Sequence, residues 1–200
     1  RQNLDNQKKD FIRNFFSTIQ LVMAGNDTQG LRYGMIETPE KYYLEWKEEL
    51  NHVEGHKLDY HLGRMCNKQR FLQIIHDFIV FDAGVKKTCR HNQFFGIEAA
   101  KQRIAKREGG IIWHTQGSGK SLTMVWLAKW IRENVSDSRV LIVTDRTELD
   151  EQIEKVFTGV EEEIYRTKSG VDLVATLNQP TPWLMCSLVH KFGRSSDADD

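Results

Sequence analysis

Cysteine is scarce in this chain and poorly placed for either of its structural uses. Cys66, Cys89 and Cys186 are odd in number, far apart and without metal-ligand spacing. That excludes a disulfide framework and a thiolate metal centre, and it fits buried small residues in a reducing cytoplasm. Long apolar runs are missing too: none approaches the roughly 18 residues of a membrane span, and the polar N-terminus holds no signal-peptide core. Neither sign of charge is in excess, since 28 basic residues meet 28 acidic ones. A pervasive basic field is therefore excluded, and any contact with nucleic acid must be local, through a groove or a few loops. Internal repeats and low-complexity segments are also absent. Two hundred residues suffice for one well-cored domain, or for one domain with part of another. The chain opens without Met and closes on Asp197-Ala198-Asp199-Asp200 after Ser195-Ser196, so a piece of a longer polypeptide is expected.

One stretch stands out, Gly109-Gly110-Ile111-Ile112-Trp113-His114-Thr115-Gln116-Gly117-Ser118-Gly119-Lys120-Ser121. A short run of β-formers leads into a loop with two glycines, and the apolar positions Leu122, Val125, Trp126 and Trp130 then recur at helical spacing. The expectation is strand, phosphate loop, helix. Gly117 and Gly119 let backbone N–H groups turn inward around a phosphate, and Lys120 can reach the β and γ oxygens. The Ser121 hydroxyl can hold Mg²⁺ at the positive end of a helix dipole. The full pattern asks for a further glycine at position 114, where this chain has His114. Helicase-like motors tolerate that loss more readily than small P-loop kinases do.

Taken in order, residues 7–16 place Phe11, Ile12, Phe15 and Phe16 on one helical face. Residues 18–24 read as a buried strand before the turn Gly25-Asn26-Asp27. Thr38-Pro39-Glu40 carries a helix-start signature, with Tyr42, Tyr43 and Trp46 as an apolar face suited to packing, or to stacking on bases. His52 and His56 stand four apart, but no further ligand completes a metal set, which favours solvated histidines. Residues 67–80 form an amphipathic helix through Phe71, Leu72, Ile75, Phe78 and Ile79, with Gly84 as terminator and a domain boundary close by. A helix then runs from Arg90 through Ile97, Ala100 and Ile104. After the loop helix, residues 139–144 are a continuous apolar run of the kind a parallel sheet buries on both faces. Asp145-Arg146 leaves that strand, Thr147 is placed to cap the next helix, and residues 171–177 and 183–188 read as helix and strand. The alternation implies an open parallel sheet with right-handed crossovers.

Ile112-Trp113-His114-Thr115-Gln116-Gly117-Ser118-Gly119-Lys120-Ser121-Leu122-Thr123 closely resembles the first helicase motif of the restriction (HsdR) subunits of type I restriction-modification enzymes, in which a His replaces the first glycine. Phe78-Ile79-Val80-Phe81-Asp82 with Arg90-His91-Asn92-Gln93 resembles that family's lead-in and adenine-reading motif. Val143-Thr144-Asp145-Arg146-Thr147-Glu148-Leu149-Asp150-Glu151-Gln152 resembles its motif Ia, and Ser187-Leu188-Val189-His190-Lys191-Phe192 its next motif, with Ser187 and Leu188 where a Thr pair is usual. The likeness covers residues 10–195.

The resemblance implies an α/β fold: a P-loop (RecA-like) parallel sheet with helices on both faces, incomplete, preceded by an α+β nuclease-domain remnant. Residues 1–84 would be the end of the nuclease-like domain with a helical linker, and residues 85–200 the start of the first RecA-like lobe. It implies an ATP-driven superfamily 2 motor on double-stranded DNA, cytoplasmic and prokaryotic, working with methyltransferase and specificity subunits. ATP and Mg²⁺ would be held by Gln93, Arg90, Thr115, Gln116, Gly117, Ser118, Gly119, Lys120 and Ser121, with Lys120 catalytic and Ser121 on the metal. Arg146 and Lys191 would contact nucleic acid, although an Asp145–Arg146 pair also has a structural reading. The nuclease carboxylates would precede residue 1, and the hydrolytic acid and arginine finger would follow residue 200, leaving the segment alone inactive. Two other readings stay open: another P-loop ATPase or kinase, and a nucleotide-binding module without turnover.

Overall fold

The structure, a computed structural model, describes residues 2–8, 10–48 and 56–193, without the side chains of residues 2, 3 and 11. Expectations for the Phe11 side chain, for His52 and for residues 194–200 lie outside the described residues. The chain divides into two units, Arg1–Phe81 with Val85–Thr115 and Asp82–Gly84 with Gln116–Asp200.

The first unit contains α1 (Gln2–Asn6), α2 (Asp10–Ser17), β1 (Val22–Asn26), β2 (Gly30–Gly34), β3 (Leu44–Glu45), α3 (Lys57–Met65) and α4 (Lys68–Asp77). A hairpin, β4 (Ile79–Asp82) and β5 (Val85–Thr88), then precedes α5 (His91–Ala105). Strands β1, β2 and β3 form an antiparallel sheet in that order, with Val22 opposite Gly34 and Tyr33 opposite Leu44. The first turn closes because the Asn26 carboxamide oxygen accepts from the N–H groups of Thr28 and Gln29, at 3.1 and 2.7 Å. Trp46 is the hub of the core: its ring lies 6.0 Å from Tyr33, 5.6 Å from Phe94 and 5.8 Å from Phe95, and Arg70 covers it from α4. Glu48 satisfies both polar neighbours, accepting from the Trp46 indole at 2.9 Å and from Arg70 at 2.8 Å. Full burial of an aromatic of this size contributes about 1.5–3 kcal/mol, so the α5 end that carries Phe94 is held firmly.

Several expectations are corrected in this unit. The strand expected over 18–24 forms later, as β1, and its last three residues are exposed. Thr38-Pro39-Glu40 opens only a three-residue 3-10 turn, Glu40–Tyr42. Thr38 does not cap it; its hydroxyl accepts from the Met35 N–H at 3.0 Å. The helix stops there because Leu44 and Glu45 are recruited into the ladder with β2 and Trp46 turns into the core. Likewise α4 ends at Asp77, after capping by Asn67, and the apolar Ile79-Val80 enters a strand rather than another helical turn, so that Gly84 (φ 78°) serves a hairpin turn. Cys66 is exposed, while Cys89 and Cys186 are buried.

The second unit contains α6 (Lys120–Asn134), β6 (Val140–Thr144), α7 (Thr147–Gly159), β7 (Tyr165–Arg166), α8 (Gly170–Leu177) and β8 (Leu184–Leu188). Its three strands are parallel in the order β6-β8-β7, with Thr144 opposite Leu188 and Arg166 opposite Cys186. The fold is thus mixed α/β with a parallel sheet and helices, as expected. Strand β8 is buried along its whole length, as a central parallel strand must be. The strand expected at Ile111-Ile112-Trp113 is not formed: Ile111 and Trp113 are each 90% exposed. A parallel strand needs a ladder partner and cover on both faces, and among the described residues this run has no strand partner.

Candidate functional site

The glycine loop keeps the backbone geometry its residues suggest. Gly117 (φ 76°) and Gly119 (φ 85°) lie in the left-handed region, where a Cβ costs about 1–2 kcal/mol. Helix α6 starts from Gly119, and no side chain caps its N-terminus. Thr123 fixes that corner from inside, its N–H and its hydroxyl both donating to the Gly119 carbonyl, at 3.1 and 3.2 Å. Val125, Trp126 and Ala128 bury the helix behind it. Ser118 is buried and its hydroxyl makes no hydrogen bond among the described residues, whereas Lys120 is exposed and Ser121 half-buried. An uncapped start to a 15-residue helix, two left-handed glycines, an orphaned buried hydroxyl and an exposed ammonium make a donor set that fits an anion such as a nucleotide phosphate.

Gln93 and Arg90 belong to the first unit, at the start of α5. Gln93 is buried, and its carboxamide oxygen accepts from the Arg90 N–H at 2.8 Å, so it closes the N-terminus of its own helix. One turn further along, Gly96 receives the chain that leads to the loop: a Cβ built there would meet His114 Nε2 and Ile112 Cγ2, each at 3.4 Å. His114 therefore packs on the helix that carries Gln93, a use for the residue that stands in place of the pattern's first glycine. Thr115 closes the first unit and Gln116 opens the second; both are exposed.

The remaining expected site residues lie where the second unit's parallel strands end. Arg146 follows β6 and pairs with its neighbour Asp145 at 3.6 Å, both side chains largely exposed. Arg146, not Thr147, is the N-cap residue of α7, and no side chain, Asp145 included, caps that helix. Lys191 donates to the Thr167 carbonyl and is half-buried. Ser187 is fully buried in β8, with its hydroxyl directed at the Leu188 carbonyl 3.4 Å away.

One constellation carried no sequence signal. Asp150 on α7 is fully buried and accepts from Arg166 Nε at 2.5 Å, while Glu154 and Glu151 flank the same guanidinium at 3.4 and 3.7 Å. Burial and the neighbouring Asp150 carboxylate push the Cys186 thiol up to about 12, so it stays an unreactive thiol. Elsewhere, His56 pairs with Asp27 at 3.1 Å, and among the described residues no group of three His, Cys, Asp or Glu could hold a metal.

A SWI2/SNF2 ATPase family model matches residues 92–200. A putative type I restriction enzyme endonuclease subunit from Methanocaldococcus jannaschii is 32% identical over 151 residues, covering 70% of this chain and 14% of that protein. The type I restriction enzyme HindI endonuclease subunit of Haemophilus influenzae is 27% identical over 184 residues, covering 82% and 17% respectively. A type I restriction enzyme endonuclease subunit from Staphylococcus saprophyticus is 23% identical over 200 residues, covering 94% and 21%. The chain thus spans between 14% and 21% of the length of these curated relatives. No helix among the described residues is long and apolar enough to cross a membrane.

Proposed function

Because the chain belongs to the SWI2/SNF2 ATPase family, and curated relatives are type I restriction endonuclease (HsdR) subunits, we propose that it is part of an ATP-dependent DNA-translocating and DNA-cleaving subunit. Residues 1–84 would close a nuclease-like domain with its linker, and residues 85–200 would begin the first RecA-like lobe. Double-stranded DNA and the methyltransferase and specificity subunits of a restriction-modification complex are the partners this reading implies, in a prokaryotic cytoplasm.

The observation that carries the reading is the left-handed Gly117/Gly119 loop feeding an uncapped helix start beside an exposed Lys120. Bound ATP·Mg²⁺ would supply the phosphoryl group whose transfer to water powers movement. Backbone N–H groups of residues 116–121 would hold its phosphates, Lys120 would neutralise charge on the β and γ oxygens, and the Ser121 hydroxyl would be a ligand for Mg²⁺. Gln93 would read the adenine edge with an amide already oriented by its bond to Arg90 N–H, and Arg90 would flank the nucleotide. Arg146 and Lys191 would serve the DNA.

Lys120→Ala in the full-length protein tests the assignment. ATP turnover should vanish while the fold survives, because an exposed lysine at the first position of α6 carries little packing. Unchanged ATPase activity in that variant would remove the phosphate-loop reading. DNA-stimulated turnover by the unmodified protein separates a DNA motor from a small P-loop kinase, which would not respond. The isolated 200 residues should bind ATP weakly and hydrolyse almost none, since loss of an arginine finger alone costs on the order of 10³–10⁵ in rate.

A further inference from the structure

The start of α5 is tied to the antiparallel sheet of its own unit through a single peptide group. Tyr33 lies in β2, the middle strand, opposite Met23 on β1 and Leu44 on β3, so ladders on both sides fix its place. Its ring is fully buried against Trp46, and its hydroxyl donates to the Cys89 carbonyl at 2.7 Å, across 56 residues of sequence. Burial first, and then the neighbouring Cys89, hold that hydroxyl well above its ordinary value, so it stays a protonated donor. The peptide group that carries the Cys89 carbonyl also carries the Arg90 N–H, which donates to the Gln93 carboxamide oxygen at 2.8 Å. One peptide plane is therefore held at both ends, by the sheet and by Gln93. Hydrogen bonds linked through a peptide polarise one another, so each gains from the other's presence.

The clamp acts on the end of α5 rather than on its body. Phe94 and Ile97 bury the body, with the Phe94 ring centred 5.1 Å from that of Phe78 and 5.6 Å from that of Trp46. The first turn of a helix has no intrahelical partners for its N–H groups, and it frays unless something ties it. Here the tie is the Cys89–Arg90 peptide, whose tilt sets where the Gln93 oxygen must lie. A backbone N–H can only donate, so the bond also fixes which end of the Gln93 amide is oxygen and which is nitrogen. That order decides which base the amide matches. Adenine offers an N6 donor beside an N7 acceptor, whereas guanine offers two acceptors, O6 and N7. A peptide plane released from Tyr33 could tilt, and an amide freed to flip would turn its nitrogen toward guanine O6.

Resting on the adenine-reading role given to Gln93 above, we propose that Tyr33 is a positioning residue for that site: its hydroxyl holds the Cys89–Arg90 peptide so that the Gln93 amide favours adenine over guanine. The test is direct binding of ATP, GTP and inorganic tripolyphosphate, each with Mg²⁺, to the full-length protein. Tyr33→Phe keeps the ring against Trp46 and removes only the hydroxyl. The ATP-to-GTP affinity ratio should fall about threefold to tenfold, the net worth of one hydrogen bond. Tripolyphosphate, which has no base to be read, should bind as before. Leu31→Val trims buried packing on the same strand and leaves the peptide untouched, so it should lower the denaturation midpoint and keep the ratio. Tyr33→Phe added to Gln93→Ala should move the ratio no further than Gln93→Ala alone, because both act through one contact. If Gln93→Ala collapses the ratio and Tyr33→Phe does not, the positioning role is overturned and the adenine reading stands. The same holds if Tyr33→Phe weakens tripolyphosphate as much as ATP. An unmodified protein with no preference for ATP, or one whose preference survives Gln93→Ala, removes the adenine reading and the role of Tyr33 with it.

Discussion

At the scale of single residues, two buried polar side chains carry consequences in opposite directions. Gln93 closes the start of α5 by accepting from the Arg90 N–H, and under the proposed function it would read an adenine as well. Gln93→Ala should therefore cost about 1 kcal/mol through the lost cap, seen as earlier denaturant unfolding of α5. It should also weaken ATP more than GTP, because a hydrogen-bonding site rejects the analogue it leaves unpaired. Equal loss for both nucleotides in a direct binding assay would leave Gln93 only its cap. His61 is the reverse case, a buried imidazole on α3 whose two nitrogens make no hydrogen bond among the described residues, tucked against Gly30. Burial first, and then the Lys57 charge, lower its pKa, with Glu45 and Glu48 opposing. The fold therefore holds the neutral ring. Its contribution is complete above the ordinary histidine value near 6.5, and stability falls as pH drops from there through the lowered folded value. Hydrogen exchange in α3 should accelerate over that acid range, and His61→Phe should flatten the response.

At the scale of elements, the long ones were legible and the short ones were not. Helices α5 and α6, α7 and α8, and strands β6 and β8 each announce themselves by periodicity or by an unbroken apolar run. Strands β2, β5 and β7 do not: Gly-Leu-Arg-Tyr-Gly, Val-Lys-Lys-Thr and Tyr-Arg become strands because a neighbour supplies the ladder. The same competition overrode the helix signature at Thr38-Pro39-Glu40. In the candidate site, the glycine pattern predicted its own backbone, since positive φ is a property of glycine itself. The tertiary roles of His114 on Gly96 and of Lys191 on Thr167 depend on packing across long sequence separations. So does the grip of Arg166 on Asp150, which ties α7 to the sheet. Removing that grip leaves a buried carboxylate unpaired, and Arg166→Ala should destabilise the second unit by about 2–3 kcal/mol. That is at or below the low end for a broken buried pair, because water reaches the guanidinium. Amide exchange in α7 is the measurement, and Asp150→Asn added to Arg166→Ala should recover part of the loss.

At the scale of the whole molecule, the strand order β6-β8-β7 has a bearing on how the chain is made. The two earlier strands do not pair with each other; both bond to the strand between them, and that strand is the last of the three in sequence. A ribosome that has released Tyr165-Arg166 has therefore delivered two strands with no ladder to join. The sheet becomes possible only when Leu184–Leu188 clears the exit tunnel. Nascent chains arrested with residue 183 just outside the tunnel should leave residues 116–183 open to protease. Chains arrested a few residues beyond 188 should become resistant in one step, because a single insertion completes both ladders at once.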